Sequence, residues 1–540
     1  MNKLSKLLFA AALTTMASSC ESFLDVNVNP NTATVVTPDQ LLGNALTVTA
    51  ANYTNFNAYT NFMAGFWTKS NAVSGYTEER TYNFSSTYQQ GLWNNTYDNL
   101  NDYNLIQTRG ATTHPNHAAI ARIMKVYNFL LLVDEYGDIP YSEALKGKEN
   151  ITPKYDKAED IYKDFIVQLK GAVTDINAAA NAVKPAAEDV VFGGGVAGMA
   201  QWKRFANSLR LRILLRESNV AALNSYVATE MTALQADAAA NGGFITADVT
   251  VQPGYAASSG QQNPFYNVNG FAVGSANTTS TYRFLLPTTY LVNMFVNNND
   301  PRITQEYRPV GATATAPGRY VGSVLGESVI PSPTTGSTFQ AALLNNPVGT
   351  FAGTFLRSPN QPTILMLLAE HLFSKSEAES RSLLTGNAQA DYENGILASF
   401  QTTFRNSPPV RTVVNGGDVN PATNYAKYMA DNATNGLVKW TETSTRNTDV
   451  NGNIIAGTRT VSTLEKILTQ KWLAENTFAG TEAWADFRRT LLPRVPVSIQ
   501  ASVSGQFAKR LLYPQSEINT NKANVPLTTT QYDRIFWVQL

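Results

Sequence analysis

Between residues 117 and 134 the side chains Ile120, Ile123, Tyr127, Leu130 and Leu131 recur at steps of three and four, which sets them on one face of an α-helix. A helix carrying such a stripe is stable only when another element covers it, so a chain that repeats the pattern folds by laying helices against each other. The pattern does repeat. Thr37, Pro38 and Gln40 have the spacing of a capping box ahead of Leu41, Leu42, Ala45 and Leu46. A helix starts near Leu92. Asp156 and Glu159 have cap spacing ahead of a helix through Ile161, Phe165, Ile166 and Leu169 to about residue 182, and segments 202–216 and 221–239 form a further pair. Later helices are predicted over 288–296, 363–384, 388–404 and 462–476, the last with Leu464, Ile467, Leu468, Trp472 and Leu473 on one face. Gly137 and Pro140 stop the helix that carries the first stripe. Antiparallel pairs at this spacing predict a mainly α fold packed like tetratricopeptide repeats, although the consensus of that repeat is not visible.

Two stretches break the helical pattern. From about 242 to 362 the chain turns to Gly, Ser, Thr, Asn and Pro with scattered rings, the composition of loops and short strands. Beyond residue 476 it reads as loops again. The organisation predicted is one domain over 37–540, with the loop-rich part set between helical parts.

The amino end carries its own signal. Lys3 and Lys6 precede an apolar run from Leu7 to Ala17, which suits a secretory leader over 1–19 and is too short to span a bilayer. Ala17, Ser18 and Ser19 then lead to Cys20, which resembles a bacterial lipobox with Ala17 where leucine is usual. Cys20 is the only cysteine, so no intramolecular disulfide forms and no cysteine nucleophile is available once it is acylated. Glu21 resembles a surface-export signal of certain Gram-negative lipoproteins. Residues 20–36 are expected as a lipidated tether, and loss of Lys3 and Lys6 takes the formal charge from 0 to about −2.

Lys and Arg number 41 and Asp and Glu number 41, so no net field gathers a polyanion, and nucleic acid is not an expected partner. Charged residues are only 15% of the chain while rings reach 10%, which leaves a surface of neutral polar groups and aromatics. His114 and His117 flank Pro115 with no further ligand in view, and Asn297, Asn298, Asn299 and Asp300 read as a turn rather than a calcium site. Gly193, Gly194 and Gly195 lack the lysine and hydroxyl of a phosphate loop and read as a flexible connection before Trp202. No metal and no cofactor is expected.

Several segments together carry a family resemblance. The run Glu135, Tyr136, Gly137, Asp138, Ile139, Pro140, Tyr141, Ser142, Glu143 and Ala144 is followed by Pro153, Tyr155, Asp156, Ile161 and Tyr162. Next come Trp202 with Ala206, Asn207, Ser208, Leu209, Arg210, Leu211 and Arg212, then Asp300, Pro301 and Arg302, then Tyr392, Asn394, Gly395, Ile396, Ala398 and Ser399. Gln470, Lys471 and Trp472 precede Glu482, Ala483, Trp484, Phe487, Arg488, Arg489 and Thr490, and finally Arg510, Leu512, Tyr513, Pro514, Gln515, Ser516, Glu517 and Asn519. In this order they resemble the SusD/RagB lipoproteins, in the SusD-like branch. The resemblance implies a SusD-like fold, with helix pairs on one side and an irregular ligand-facing side with few short strands. It also implies a non-catalytic lipoprotein of the outer membrane, exposed at the cell surface, that passes a nutrient to a SusC-like TonB-dependent transporter. Trp202, Trp472, Trp484 and Tyr513 are expected to fill gaps between helices, with Arg488 or Arg489 satisfying helix-end carbonyls.

A protein that captures a glycan needs ring faces for sugar C–H surfaces and amides for hydroxyls. The candidates for ligand contact are Trp67, Tyr76, Tyr82 and Tyr88 among Asn, Ser and Thr, with Tyr266 and Tyr282 in the loop-rich part, where Tyr255 and Phe265 also lie. Replacing Trp67 or Tyr82 with Ala is expected to weaken binding without unfolding. The alternative function is a surface-anchored glycoside hydrolase, which needs a pair of carboxylates at a set separation.

Overall fold

Helix α1 (Pro38–Met63) begins where its capping residues place it. The Gln40 side chain accepts a hydrogen bond from the Thr37 N–H at 3.1 Å, and Pro38 sits in the first turn, where its missing N–H costs nothing. This computed structural model describes residues 36–275, 277–313, 316–341, 353–405 and 420–540; the leader, Cys20, Glu21 and the tether up to residue 35 lie outside the described residues. After the short strand β1 (Trp67–Lys69) come α2 (Gln90–Thr113) and α3 (Pro115–Tyr136), joined at His114. The core surrounds α3 on nearly every side, since Val126, Phe129, Leu132 and Val133 are buried along with its stripe. It stops at Gly137, whose φ of +74° suits glycine and where a Cβ would come within 3.0 Å of Arg510 Nη1.

The chain then forms β2 (Ile139–Pro140), β3 (Tyr155–Asp156), α4 (Ala158–Ala178), α5 (Gly195–Glu217) and α6 (Asn224–Ala240), each helix packed on the one before. The loop-rich part holds β4 (Val249–Val251), β5 (Leu285–Pro287) and α7 (Thr289–Asn297). Beyond it lie β6 (Thr363–Met366), α8 (Leu368–Ser380), α9 (Ala388–Thr403), α10 (Pro421–Asp431), the hairpin β7 (Ser444–Thr448) and β8 (Ile454–Thr460), α11 (Thr463–Glu475) and α12 (Gly480–Thr490). Each strand belongs to a two-stranded antiparallel sheet, and β1 pairs with β5, which ties the first loops to the loop-rich part. Helix α11 lies on α8, and α12 returns to α1, so the late helices close over the first one. Among the described residues, no helix is long and apolar enough to cross a membrane.

Several local expectations change. The helix predicted from 363 starts at Leu368; the preceding Thr363–Met366 is a strand, with Thr363 opposite Val251 and Met366 opposite Val249. So short an apolar run fits either period, and the partner strand decides it. Asp156 does not cap α4: its Oδ2 accepts from the Ser142 N–H at 2.7 Å, while Asp138 Oδ1 accepts from the Ala158 N–H at 2.9 Å. That helix ends at Ala178 rather than near 182. The carboxyl end, expected as loops, carries α12, whose charged residues hid its burial. The glycine run is not a loose connection, because it closes around Asp189. Asp189 Oδ1 accepts from the N–H groups of Val191 (3.1 Å) and Phe192 (3.0 Å), and Oδ2 accepts from Gly194 N–H (3.1 Å) and Trp202 Nε1 (2.9 Å).

Trp202, Trp472, Trp484 and Tyr513 are buried as expected, and between them run buried charges. Arg212 of α5 forks onto Glu370 of α8 with two bonds of 2.9 Å and reaches Glu482 of α12 at 3.2 Å. Arg216, one turn on, pairs with Glu482 at 2.7 Å and with Asp134 of α3 at 3.0 Å. Arg489 holds Glu377 (2.6 Å) and Asp486 (2.8 Å), and Lys471 of α11 joins Asp486 at 2.7 Å. Arg488 does satisfy a helix end, donating to the Asp134 carbonyl at 2.6 Å, whereas Arg489 serves carboxylates instead. Arg302 is likewise held by Asp300 at 2.6 Å and donates to Ser399 at 2.8 Å. Arg212, Arg302, Lys471, Glu482, Arg488 and Arg489, all among the residues that carried the family resemblance, are thus pins between layers.

Candidate functional site

Tyr53, Thr54 and Asn57 share one face of α1 and form one wall of a narrow cleft of about 40 Å³. Asn57 fixes the floor. Its Nδ2 donates to the Phe478 carbonyl at 2.9 Å and its Oδ1 accepts from the Thr481 N–H at 3.1 Å, which anchors the turn between α11 and α12. The opposite wall comes from two loops of the loop-rich part. Asn263 caps the short helix Pro264–Asn269 by accepting from the Tyr266 N–H at 3.0 Å, and its Nδ2 donates to Thr363 Oγ1 at 3.0 Å, so one amide joins both loops. Gln361 accepts from the Arg357 N–H at 2.8 Å and donates to the Phe355 carbonyl at 2.7 Å. These bonds give loops the rigidity that a preformed site requires.

Phe265 and Phe478 are part-exposed at this cleft, while Phe355 packs behind them, 5.1 Å from Phe478 between ring centroids. Burial pushes the Tyr53 phenol well above its usual value, so it stays neutral. Among the described residues the lining is made of rings, amides, hydroxyls and aliphatic groups and includes no charged side chain. Such a surface suits an uncharged, hydroxylated ligand that offers C–H faces to rings and hydroxyls to amides.

Of the rings named from sequence, Phe265 lines this cleft, whereas Trp67, Tyr76, Tyr82, Tyr88, Tyr266 and Tyr282 fall into two groups that do not. Trp67 lies behind it, 3% exposed: its Nε1 donates to Thr477 Oγ1 at 2.9 Å and its ring meets Phe265 at 6.2 Å and Phe339 at 5.8 Å. Tyr266 is buried next to Phe265, and Tyr282 is buried with its hydroxyl donating to the Phe339 carbonyl at 2.7 Å. Apart from these, Tyr76 stacks on Phe62 at 4.9 Å, and Tyr88 stacks on Phe84 at 4.9 Å and donates to Glu79 at 2.8 Å. Tyr82 has no exposed surface; it stacks on Phe507 at 5.6 Å and its oxygen accepts from the Ser498 N–H at 3.2 Å. Trp67 and Tyr82 are therefore core rings, and the expectation that their loss spares folding does not fit this packing. The sequence reading missed Tyr53, Asn57 and Phe478. The i, i+4 pair Tyr53 and Asn57 was visible, but a ring and an amide one turn apart look the same in a core helix.

Among the described residues, no group of three or more metal-ligating side chains gathers. His117 Nε2 sits 3.0 Å from Glu188, and His114 Nε2 is 3.9 Å from Asp39. Asp300 is taken up by Arg302.

The fold is a set of packed helix pairs with a loop-rich side that carries a neutral cleft. Residues 30–514 match the family model described as starch-binding and associating with the outer membrane, SusD-like. The chain belongs to this SusD-like family. Among solved structures it is similar to a chitin-binding protein, with 22% identity and a TM-score of 0.70 over 93% of this chain and 100% of that one. It is also similar to a chitin-binding SusD homolog from Flavobacterium johnsoniae (21% identity, TM-score 0.68, 92% and 99% covered). A SusD-like protein from Bacteroides thetaiotaomicron is similar as well (22% identity, TM-score 0.68, 92% and 99% covered). No curated protein matches the chain.

Proposed function

We propose that this protein captures a neutral oligosaccharide at the cell surface and delivers it to a SusC-like TonB-dependent transporter without cleaving it. The ring-and-amide cleft carries the reading, and the chitin-binding relatives point to the same ligand class. Cleavage by paired carboxylates is the alternative, and among the described residues those lining the cleft, from Tyr53 to Phe478, include neither Asp nor Glu. Cys20, acylated after removal of the leader, would anchor the protein in the outer membrane.

Titration calorimetry of the mature chain against chito-, malto- and other neutral oligosaccharides tests this. Phe265→Ala is expected to weaken the binding sugar about tenfold, roughly the 1.4 kcal/mol of one lost stacking contact, with the melting temperature kept. New reducing ends released from that sugar, or binding indifferent to Phe265, would sink the reading. Mass spectrometry of membrane-extracted protein tests the acylation of Cys20, and co-purification from outer membranes tests the transporter.

A further inference from the structure

Away from the ring-lined cleft, α2, α3, α4 and the connection after β2 enclose a second, wider cleft of about 360 Å³ with a different chemistry. Among the described residues, Arg122, Lys125 and Lys146 line it against a single carboxylate, Asp164, on a chain whose formal charges sum to zero. Lys125 is half-buried, and its Nζ donates to Asn104 Oδ1 at 2.9 Å and Gln107 Oε1 at 3.0 Å, both neutral oxygens of α2. Among the described residues these are its hydrogen-bond partners, which leaves one of three N–H donors for a ligand. Arg122 is also preset, although one of its partners is a carboxylate. Its Nε donates to Gln168 at 2.8 Å and Nη1 to Asp175 at 2.9 Å, leaving Nη2. Its guanidinium lies on Gly171, where a Cβ would fall 2.3 Å away, so the glycine makes room for it. Asp164 is spent inward, accepting from the Tyr141 hydroxyl at 2.5 Å and the Gln168 amide at 3.1 Å. Phe129 and Tyr141, edge to face at 4.8 Å, give the cleft an apolar base.

Two preset cationic donors ask for an anion, and the amides, the Ser142 hydroxyl and the ring base ask for a hydroxylated framework attached to it. We propose that this cleft is a second binding site that takes an acidic sugar, a uronate unit, with its carboxylate on Lys125 and Arg122. It shares no lining residue with the neutral cleft, so the two stand or fall separately. Burial, and then the neighbouring Arg122 charge, lower the Lys125 ammonium to about 8, while Asp164 works against them. Charge on Lys125 is thus held below pH 8 and lost above it.

Calorimetry of the mature chain with digalacturonate, and with galactobiose as its neutral counterpart, tests the site. Digalacturonate is expected to bind at pH 7 and to weaken about tenfold at pH 9.5. It should weaken at least tenfold in Lys125→Met and in Arg122→Gln, and be unchanged in Phe265→Ala. Melting curves check that the variants fold, and if either melts early the pH step on the unaltered chain decides. No binding of digalacturonate, the same affinity at both pH values, or full binding by folded variants overturns the proposal. Equal competition by galactobiose or by a tetra-aspartate peptide overturns the acidic-sugar assignment.

Discussion

Trp67 and Tyr82 lie in a stretch of Asn, Ser and Thr that reads as a binding loop, yet both rings are enclosed by Phe265, Phe339, Phe507 and their neighbours. Ring identity was legible in the sequence; what covers each ring was not, because the covering residues come from hundreds of positions away. Trp67→Ala and Tyr82→Ala are each expected to lower the unfolding free energy by about 3–5 kcal/mol in urea titrations. Tyr82→Phe, which gives up only the acceptor for the Ser498 N–H, should cost about 1 kcal/mol. Carboxylates supply a second test. Glu306 is buried, and desolvation outweighs Arg302 and the Asn476 amide, raising its carboxyl to about 8. The folded state therefore holds the proton more tightly than the unfolded chain does. That contribution is complete below pH 4.5 and is lost as pH climbs through 8. Glu306→Gln, which keeps the shape of the protonated acid, should flatten the fall of the melting temperature between pH 6 and pH 9 and leave it nearly unchanged at pH 4.

At the scale of elements, the long helices were readable because their stripes are continuous, as along α3 and α11, and because caps are local in sequence, as at Thr37 and Gln40. Where a cap comes from a distance the reading fails. Asp138 reaches α4 from 20 positions upstream, while Asp156, which has the right spacing, holds the Tyr141–Ser142 turn. Asp138→Ala should cost about 1 kcal/mol, read in thermal melts, as for a lost N-cap. The glycine turn around Asp189 gives a sharper case. Gly194 has a φ of +69°, and a Cβ there would sit 2.2 Å from the Pro185 carbonyl oxygen. Gly194→Ala should therefore destabilise more than the usual ~1 kcal/mol strain of a left-handed alanine, with increased proteolysis between α4 and α5 as the readout.

At the scale of the whole molecule, helical class and family were legible, and the neutral cleft was not, since it is assembled from α1, two loops and the turn at Thr477. The polar signature residues gave the order of the chain without showing that they would be buried against each other. Arg212→Met leaves Glu370 without its fork and should cost about 3–5 kcal/mol. Adding Glu370→Gln in the same chain should recover part of the loss, a coupling that a double-mutant cycle measures. The return of α12 to α1 has a further effect on how the protein is made. Asn57 waits for Phe478, 421 positions later, before its amide has a partner. Although α2 and α3 cover part of the first helix early, the face that meets α12 leaves the ribosome with its cover still unsynthesised, and contacts of such range form slowly. A helix made late is thus the one that locks the beginning of the molecule in place, and loss of α12 would leave that face of α1 bare.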